Sequence, residues 1–233
     1  MDQDIKSQIE RAKELLKELE ESYNSDLQTK SISEKTKNLT QEVLVKMRHV
    51  LDQSMYRFFA KIISPTLSSD VKKNVKIYFP IAQNPAGLKS RLGMGKMAAL
   101  DVSNPDVYKF LESIQPYNAK FSWLGDFSKF ANEKHIRLSP QEFKEENETT
   151  LSNAIHAGRG AEVKMAGCRI GDIPVNCENI NTTPLDQFDP RLKVKRTTWV
   201  QFNFKGTNIN VLWLCKKAVN ELEKVIDKFF TLF

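Results

Sequence analysis

The chain has 233 residues and a mass of 26.8 kDa, enough for one large domain or two small ones. Its 40% hydrophobic and 27% charged content is that of an ordinary globular protein and excludes disorder throughout. The net charge of +6 is unevenly spread, because 1–30 hold eight acids against five bases, whereas 71–96 and 191–217 hold six and seven bases and no acid.

In chain order, Ile5, Ile9, Ala12, Leu15, Leu16, Leu19 and Tyr23 recur at spacings of three and four and predict an amphipathic helix over 2–23. A polar connection at 24–33 leads to a second, longer helix that carries Leu39, Val43, Met47, Val50, Leu51, Met55, Phe58 and Ile62 and stops at Ser64-Pro65. A loop over TLSSDVKKN precedes VKIYFPI, which reads as a short strand or extended edge segment ended by Pro80. Glycines and Pro85 make 83–95 an irregular loop; Gly93-Met94-Gly95 lacks the strand and the Lys-Ser/Thr pair of a phosphate loop.

Ser103-Asn104-Pro105-Asp106 predicts a capped helix start, with Val107, Phe110, Leu111 and Ile114 as its apolar stripe, and Gln115-Pro116-Tyr117-Asn118 breaks it. A further helix is expected over 119–136, then a short one from the capping-box spelling Ser139-Pro140-Gln141-Glu142. From Glu162 the pattern turns to strands: two short ones broken at Gly171-Asp172, and a hairpin of RTTWVQFNF and INVLWL. An amphipathic helix closes the chain. The predicted class is mainly α (α+β): a bundle of four or five helices with a small antiparallel sheet before the C-terminal helix. The expected organisation is an N-terminal helix over 1–30, a bundle from 31–160 and 215–233, and a sheet insertion over 161–214.

Three cysteines without CxxC spacing argue against a disulfide framework or a zinc site, and a charged N-terminus with no long apolar run predicts neither a signal peptide nor a membrane span. A cytoplasmic protein without cofactor or metal, and without membrane association, is the expectation. Glycine patterns for nucleotides and a nucleophile elbow are also missing. The basic stretches interleave with Tyr78, Phe79, Trp199, Phe202 and Phe204; this suits either a nucleic-acid surface, with cations for phosphates and rings for bases, or a solvated face over core rings.

Two polar groups could carry chemistry. Arg48, His49 and Asp52 lie on the second helix, with 48 and 52 one turn apart, as a structural network or as a groove-facing set. Asn132, Lys134, His135 and Arg137 crowd a helix end, as dipole partners or as a phosphate site in which His135 exchanges a proton. His156 falls in an expected flexible loop.

The order Leu51-Asp52, Phe79-Pro80-Ile81, Ile114-Gln115-Pro116-Tyr117-Asn118, Asn132-Glu133-Lys134-His135-Ile136-Arg137 and a closing amphipathic helix resembles a group of bacterial helical proteins. These are similar in outline to the HEPN superfamily, whose members recur in antiphage defence and toxin–antitoxin systems and often cut RNA. The superfamily's signature, an arginine followed after four to six residues by a histidine on one helix, is not spelled in this chain. The resemblance implies a protein that binds RNA or cleaves it without metal. In that reading His135, Asp52 and Asn132 are catalytic candidates, while Lys134, Arg137, Arg48, Lys193, Lys195 and Arg196 hold nucleic acid. The alternative is a non-enzymatic module that docks on a protein partner or on a second copy of itself as a homodimer.

Overall fold

The computed structural model describes residues 2–68, 75–133 and 141–233. The architecture is mainly α, with a small antiparallel sheet inserted before the C-terminal helix. Two compact units divide the chain: a helical unit of 1–141 with 204–233, and a sheet unit of 142–203. The sheet unit thus begins at 142 rather than 161 and ends at 203 rather than 214, and the first helix is part of the helical unit rather than a segment of its own.

In the helical unit, α1 (Gln3–Thr29) is capped by Asp2 and closed by Lys30 in the left-handed region at φ 52°. Asp26 then accepts from both the N–H and the hydroxyl of Ser33, at 2.7 and 2.8 Å, and Ser33 in turn caps α2 (Glu34–Phe58). This chain of caps sets the turn between two long antiparallel-capable helices whose apolar stripes, Ile5 to Tyr23 and Leu39 to Phe58, are buried. A π-helical turn at Phe59–Ile63 and a 3-10 turn at Ser64–Thr66 end α2, since Pro65 has no N–H to continue the ladder.

Residues 75–82 are extended, with no strand partner among the described residues. The irregular loop expected at 83–95 is instead α3 (Pro85–Met94): Asn84 caps it through Gly87 N–H at 2.8 Å, Pro85 takes the first helical position, and Leu88 and Leu92 are buried one turn apart. The glycines cost helix propensity, yet cap, proline and packing outweigh them. Short α4 (Leu100–Ser103) and α5 (Pro105–Ser113) follow, then α6 (Trp123–Asn132) after a 3-10 turn at Ala119–Phe121. The remainder of the helix expected to 136 lies outside the described residues, as do Ser139 and Pro140 and most of the TLSSDVKKN loop.

Helix α7 (Val211–Phe230) starts where the second arm of a hairpin was expected. INVLWL has β-branched character, but Asn210 accepts from Trp213 N–H at 2.8 Å, and Val211, Leu214, Cys215 and Ala218 open one buried helical stripe that continues to Phe229. Helix α2 packs against α1, α6 and α7 and is the centre of the unit. Phe229 gathers Phe58, Phe79 and Phe110 around its ring at centroid distances of 5.8, 6.0 and 5.9 Å.

In the sheet unit, β1 (Gln141–Leu151), β2 (Ile155–Ala157) and β5 (Val194–Phe204) form one sheet in the order β2-β1-β5, and β3 (Met165–Ile170) pairs antiparallel with β4 (Ile173–Cys177) across Gly171-Asp172. Gln141 therefore opens a strand rather than a short helix, and His156 sits on β2 rather than in a loop. Leu151, Ala157, Ile173, Val175, Ile180, Phe188 and Leu192 make the core. Among the described residues no helix is long and apolar enough to cross a membrane.

Candidate nucleic-acid interface

An extended segment inside a helical unit must find partners for its backbone, since buried N–H and C=O groups are costly when unpaired. Here side chains supply them. Asp52 accepts the Phe79 N–H at 2.8 Å, and Arg48 donates to the Phe79 carbonyl at 3.1 Å while pairing with Asp52 at 3.0 Å. Gln115, fully buried after α5, accepts from Ala82 N–H at 2.8 Å and donates to the Pro80 carbonyl at 2.9 Å and to that of Leu111 at 2.7 Å. Three of the motifs whose order was read from the sequence are thus one clamp on 79–82.

The clamp fixes which side of the segment faces out. Alternation along an extended chain buries Phe79 while Lys76 and Tyr78 are exposed, Tyr78 by 59%. Lys76 and Tyr78 line a cleft of about 320 Å³ together with Phe79, Pro80, Arg91 and Met94 of α3, and Gly95 just after it. Met94 is 68% exposed, and neither Lys76 nor Arg91 forms an ion pair with a described residue. The sheet unit holds nine acids and eight bases, so the chain's positive surplus belongs to the helical unit, with 27 bases against 20 acids. The cleft can hold an anion beside a planar ring, and among the described residues no carboxylate or imidazole lines it.

The expected site fares differently residue by residue. Asp52 and Arg48 are occupied with each other and with Phe79, which makes them positioning groups for the segment. His49 is exposed on the same helix. Asn132 is exposed at the end of α6, just past Phe130, whose carbonyl accepts from Gln41 at 3.2 Å. Asp52 lies three turns beyond Gln41, roughly 16 Å along the axis of α2, so Asn132 and Asp52 are not brought together. Lys134, His135 and Arg137 lie outside the described residues.

In the sheet unit, alternation separates Lys195 from Arg196. Arg196 points inward and donates to Thr149 Oγ1 at 2.9 Å and to the carbonyls of Ile180 and Thr183 at 2.6 and 2.8 Å; it fastens loops and has no fork left for a phosphate. Lys193 and Lys195 are exposed. Arg191 binds Asp189 through both carboxylate oxygens, and those hydrogen bonds hold the Asp189 carboxyl down to about 2. Trp199 is 45% exposed under the Arg159 guanidinium, 5.2 Å from its ring centre. His156 meets Thr150 at 3.2 Å and Glu148 at 3.6 Å. No three His, Cys, Asp or Glu among the described residues group to hold a metal ion.

Sequence reasoning named Tyr78 and counted Lys76 and Arg91 in a basic stretch, but not as a site; the signal was the period-two alternation of Lys76 and Tyr78 next to a capped helix bearing Arg91 and Met94 at i, i+3. Comparison of the chain with protein-family models, with curated proteins and with solved structures finds no match.

Proposed function

We propose that the protein binds single-stranded RNA, with the cleft of Lys76, Tyr78, Arg91 and Met94 as its contact surface. The observation that carries this is an exposed ring flanked by two cations without ion-pair partners among the described residues, in the unit that holds all of the positive surplus. A base stacks on Tyr78 with the Met94 side chain as an apolar wall, and Lys76 and Arg91 take the flanking phosphates. The motif order adds a HEPN-like, RNA-directed kinship to the proposal. The proposed role is binding, since the lining supplies a ring to stack on and cations for phosphates.

Fluorescence anisotropy with a labelled single-stranded RNA over a salt series tests this. Tyr78→Ala is expected to weaken binding about tenfold, from the ~1–3 kcal/mol of a base-aromatic stack. Replacing Lys76 and Arg91 together by Ala lowers the slope of log K against log salt by about 1.4, two phosphates at ~0.7 each. Binding that is flat with salt and indifferent to these changes gives the surface to a protein partner instead.

A further inference from the structure

We infer that the sheet unit carries a separate site for a phosphate group, in the groove between the turn after β1 and the segment that enters β5. The groove, about 500 Å³, is walled by Thr150, Ser152, Asn153, Arg191, Lys193 and Lys195. It does not depend on the Tyr78 cleft, which belongs to the other unit.

The turn is built first. Ser152 and Asn153 both adopt left-handed backbone, at φ 46° and 56°, as the central residues of a tight turn closed by the Ala154 N–H on the Leu151 carbonyl at 2.9 Å, within the three-residue connection between paired Leu151 and Ile155. Asparagine tolerates it; serine does so at a cost, in a place where glycine is the usual choice. What the serine adds is a hydroxyl. Ser152 N–H donates to the Lys193 carbonyl at 2.8 Å, and Ser152 Oγ accepts the Lys193 N–H at 3.1 Å. This reciprocal pair pins residue 193 beside the turn, and the hydroxyl, having accepted, keeps its own proton to donate.

Charge is then concentrated at that point. Lys193 and Lys195, two residues apart and therefore on one side of the chain, are exposed and make no ion pair with a described residue. Arg191 is different: Asp189 takes it through both oxygens and Asp172 at 3.2 Å. It forms a rigid, neutralised wall. Elsewhere in the unit three acids have local partners, Glu146 with Arg159, Glu148 beside His156 and Glu178 with Lys164. Two uncompensated ammonium groups thus face small neutral donors, the Ser152 hydroxyl and the Asn153 amide, in a unit whose overall balance is one negative charge. A compact tetrahedral dianion accepts several short hydrogen bonds at once and suits that set better than a planar carboxylate, for which a free arginine fork is the better match.

The ligand chemistry has two sources, free phosphate or small phosphorylated molecules, and the terminal phosphate of a nucleic acid. Amide NMR of the full chain titrated with inorganic phosphate, against chloride at matched ionic strength, reads the site directly. Saturable shifts at Ser152, Asn153 and Lys193 are expected, weakened about tenfold in the Lys193→Ala/Lys195→Ala double variant and less in Ser152→Ala. A 5′-phosphorylated oligonucleotide is then compared with its 5′-hydroxyl twin. Tighter binding of the phosphorylated strand, lost in the double variant, assigns the site to nucleic-acid ends; equal binding of the two strands with phosphate still titrating the groove assigns it to small phosphorylated ligands. Shifts no larger than those given by chloride, or unchanged by the double variant, overturn the inference. Tyr78→Ala, which tests the RNA cleft, leaves these amides unmoved, so the two proposals fail separately.

Discussion

In the helical unit, the backbone of 79–82 is clasped by Asp52, Arg48 and Gln115 while the Phe79 ring packs edge-on against Phe229 of α7. The sheet unit has seven residues in its core and holds its loops with Arg196, with Asn181, whose amide donates to the Gly158 and Ala161 carbonyls, and with Asn147, which donates to the Asn181 carbonyl. The device is the same: side chains stand in for absent ladder partners. Its share differs, because a small unit buries too little apolar surface to be secured by packing alone. A polar clamp orients a segment in the first unit and is a main source of cohesion in the second.

Thiol chemistry gives the largest contrast. Cys215 is fully buried in α7, and burial pushes its thiol far up, whereas Cys168 and Cys177 are half-buried on β3 and β4. A disulfide reagent under native conditions is expected to modify two thiols and to leave the third until the helical unit opens, with rates differing by about a thousandfold or more. Prompt reaction of all three would erase the distinction between a sealed core and a thin one.

The next effect breaks the clamp of the helical unit. Asp52→Ala strands the Phe79 N–H and leaves Arg48, whose side chain is 11% exposed, without its counter-charge; a loss of about 3 kcal/mol in chemical denaturation is expected. Asp52→Asn should cost about half as much, since an amide oxygen still accepts from Phe79. Tyr78 is carried by the same segment, so both variants should also weaken RNA binding. An Asp52→Ala protein within about 0.5 kcal/mol of the parent would show that packing alone places 79–82. In the sheet unit the matching test is Arg196→Lys, which keeps the charge and removes the fork that reaches Thr149, Ile180 and Thr183. About 2 kcal/mol should disappear, read as faster hydrogen exchange in β1, β3 and β4; unchanged exchange there would mean the seven-residue core suffices.

The helices α1, α2 and the closing α7 were legible because their apolar residues keep a helical period over many turns, and Gly171-Asp172 announced the β3–β4 turn. What failed was local chemistry overruled at a distance or by a single cap. The polar run Gln141 to Thr150 has no alternating apolar face, so its strand character comes from pairing with β2 and β5 and could not be read from the run itself. INVLWL looked like a strand until Asn210 capped it, and the glycines of 85–94 hid Asn84, Pro85 and the Leu88/Leu92 pair. The Arg48–Asp52 pairing was visible at i, i+4; its true object, the Phe79 backbone, is far away in sequence, and nothing near 48–52 points to it.

The smallest effect concerns a carboxylate with no such clamp. Asp126, in the first turn of α6 between buried Trp123 and Phe130, has its carboxyl raised above the ordinary 3.8 by burial, against a weaker opposite pull from Lys129. The folded state therefore binds this proton more tightly than the unfolded one, and the group's contribution is fully present below 3.8 and lost as pH rises through the raised value. Asp126→Asn removes that loss, so the variant should melt slightly higher than the parent at neutral pH, with the gap closing on acidification. The half-exposed position keeps the difference small. A variant that melts lower at neutral pH would mean that attraction of the carboxylate to the α6 N-terminus outweighs its desolvation, and that even an unclamped acid in the helical unit is held by the backbone.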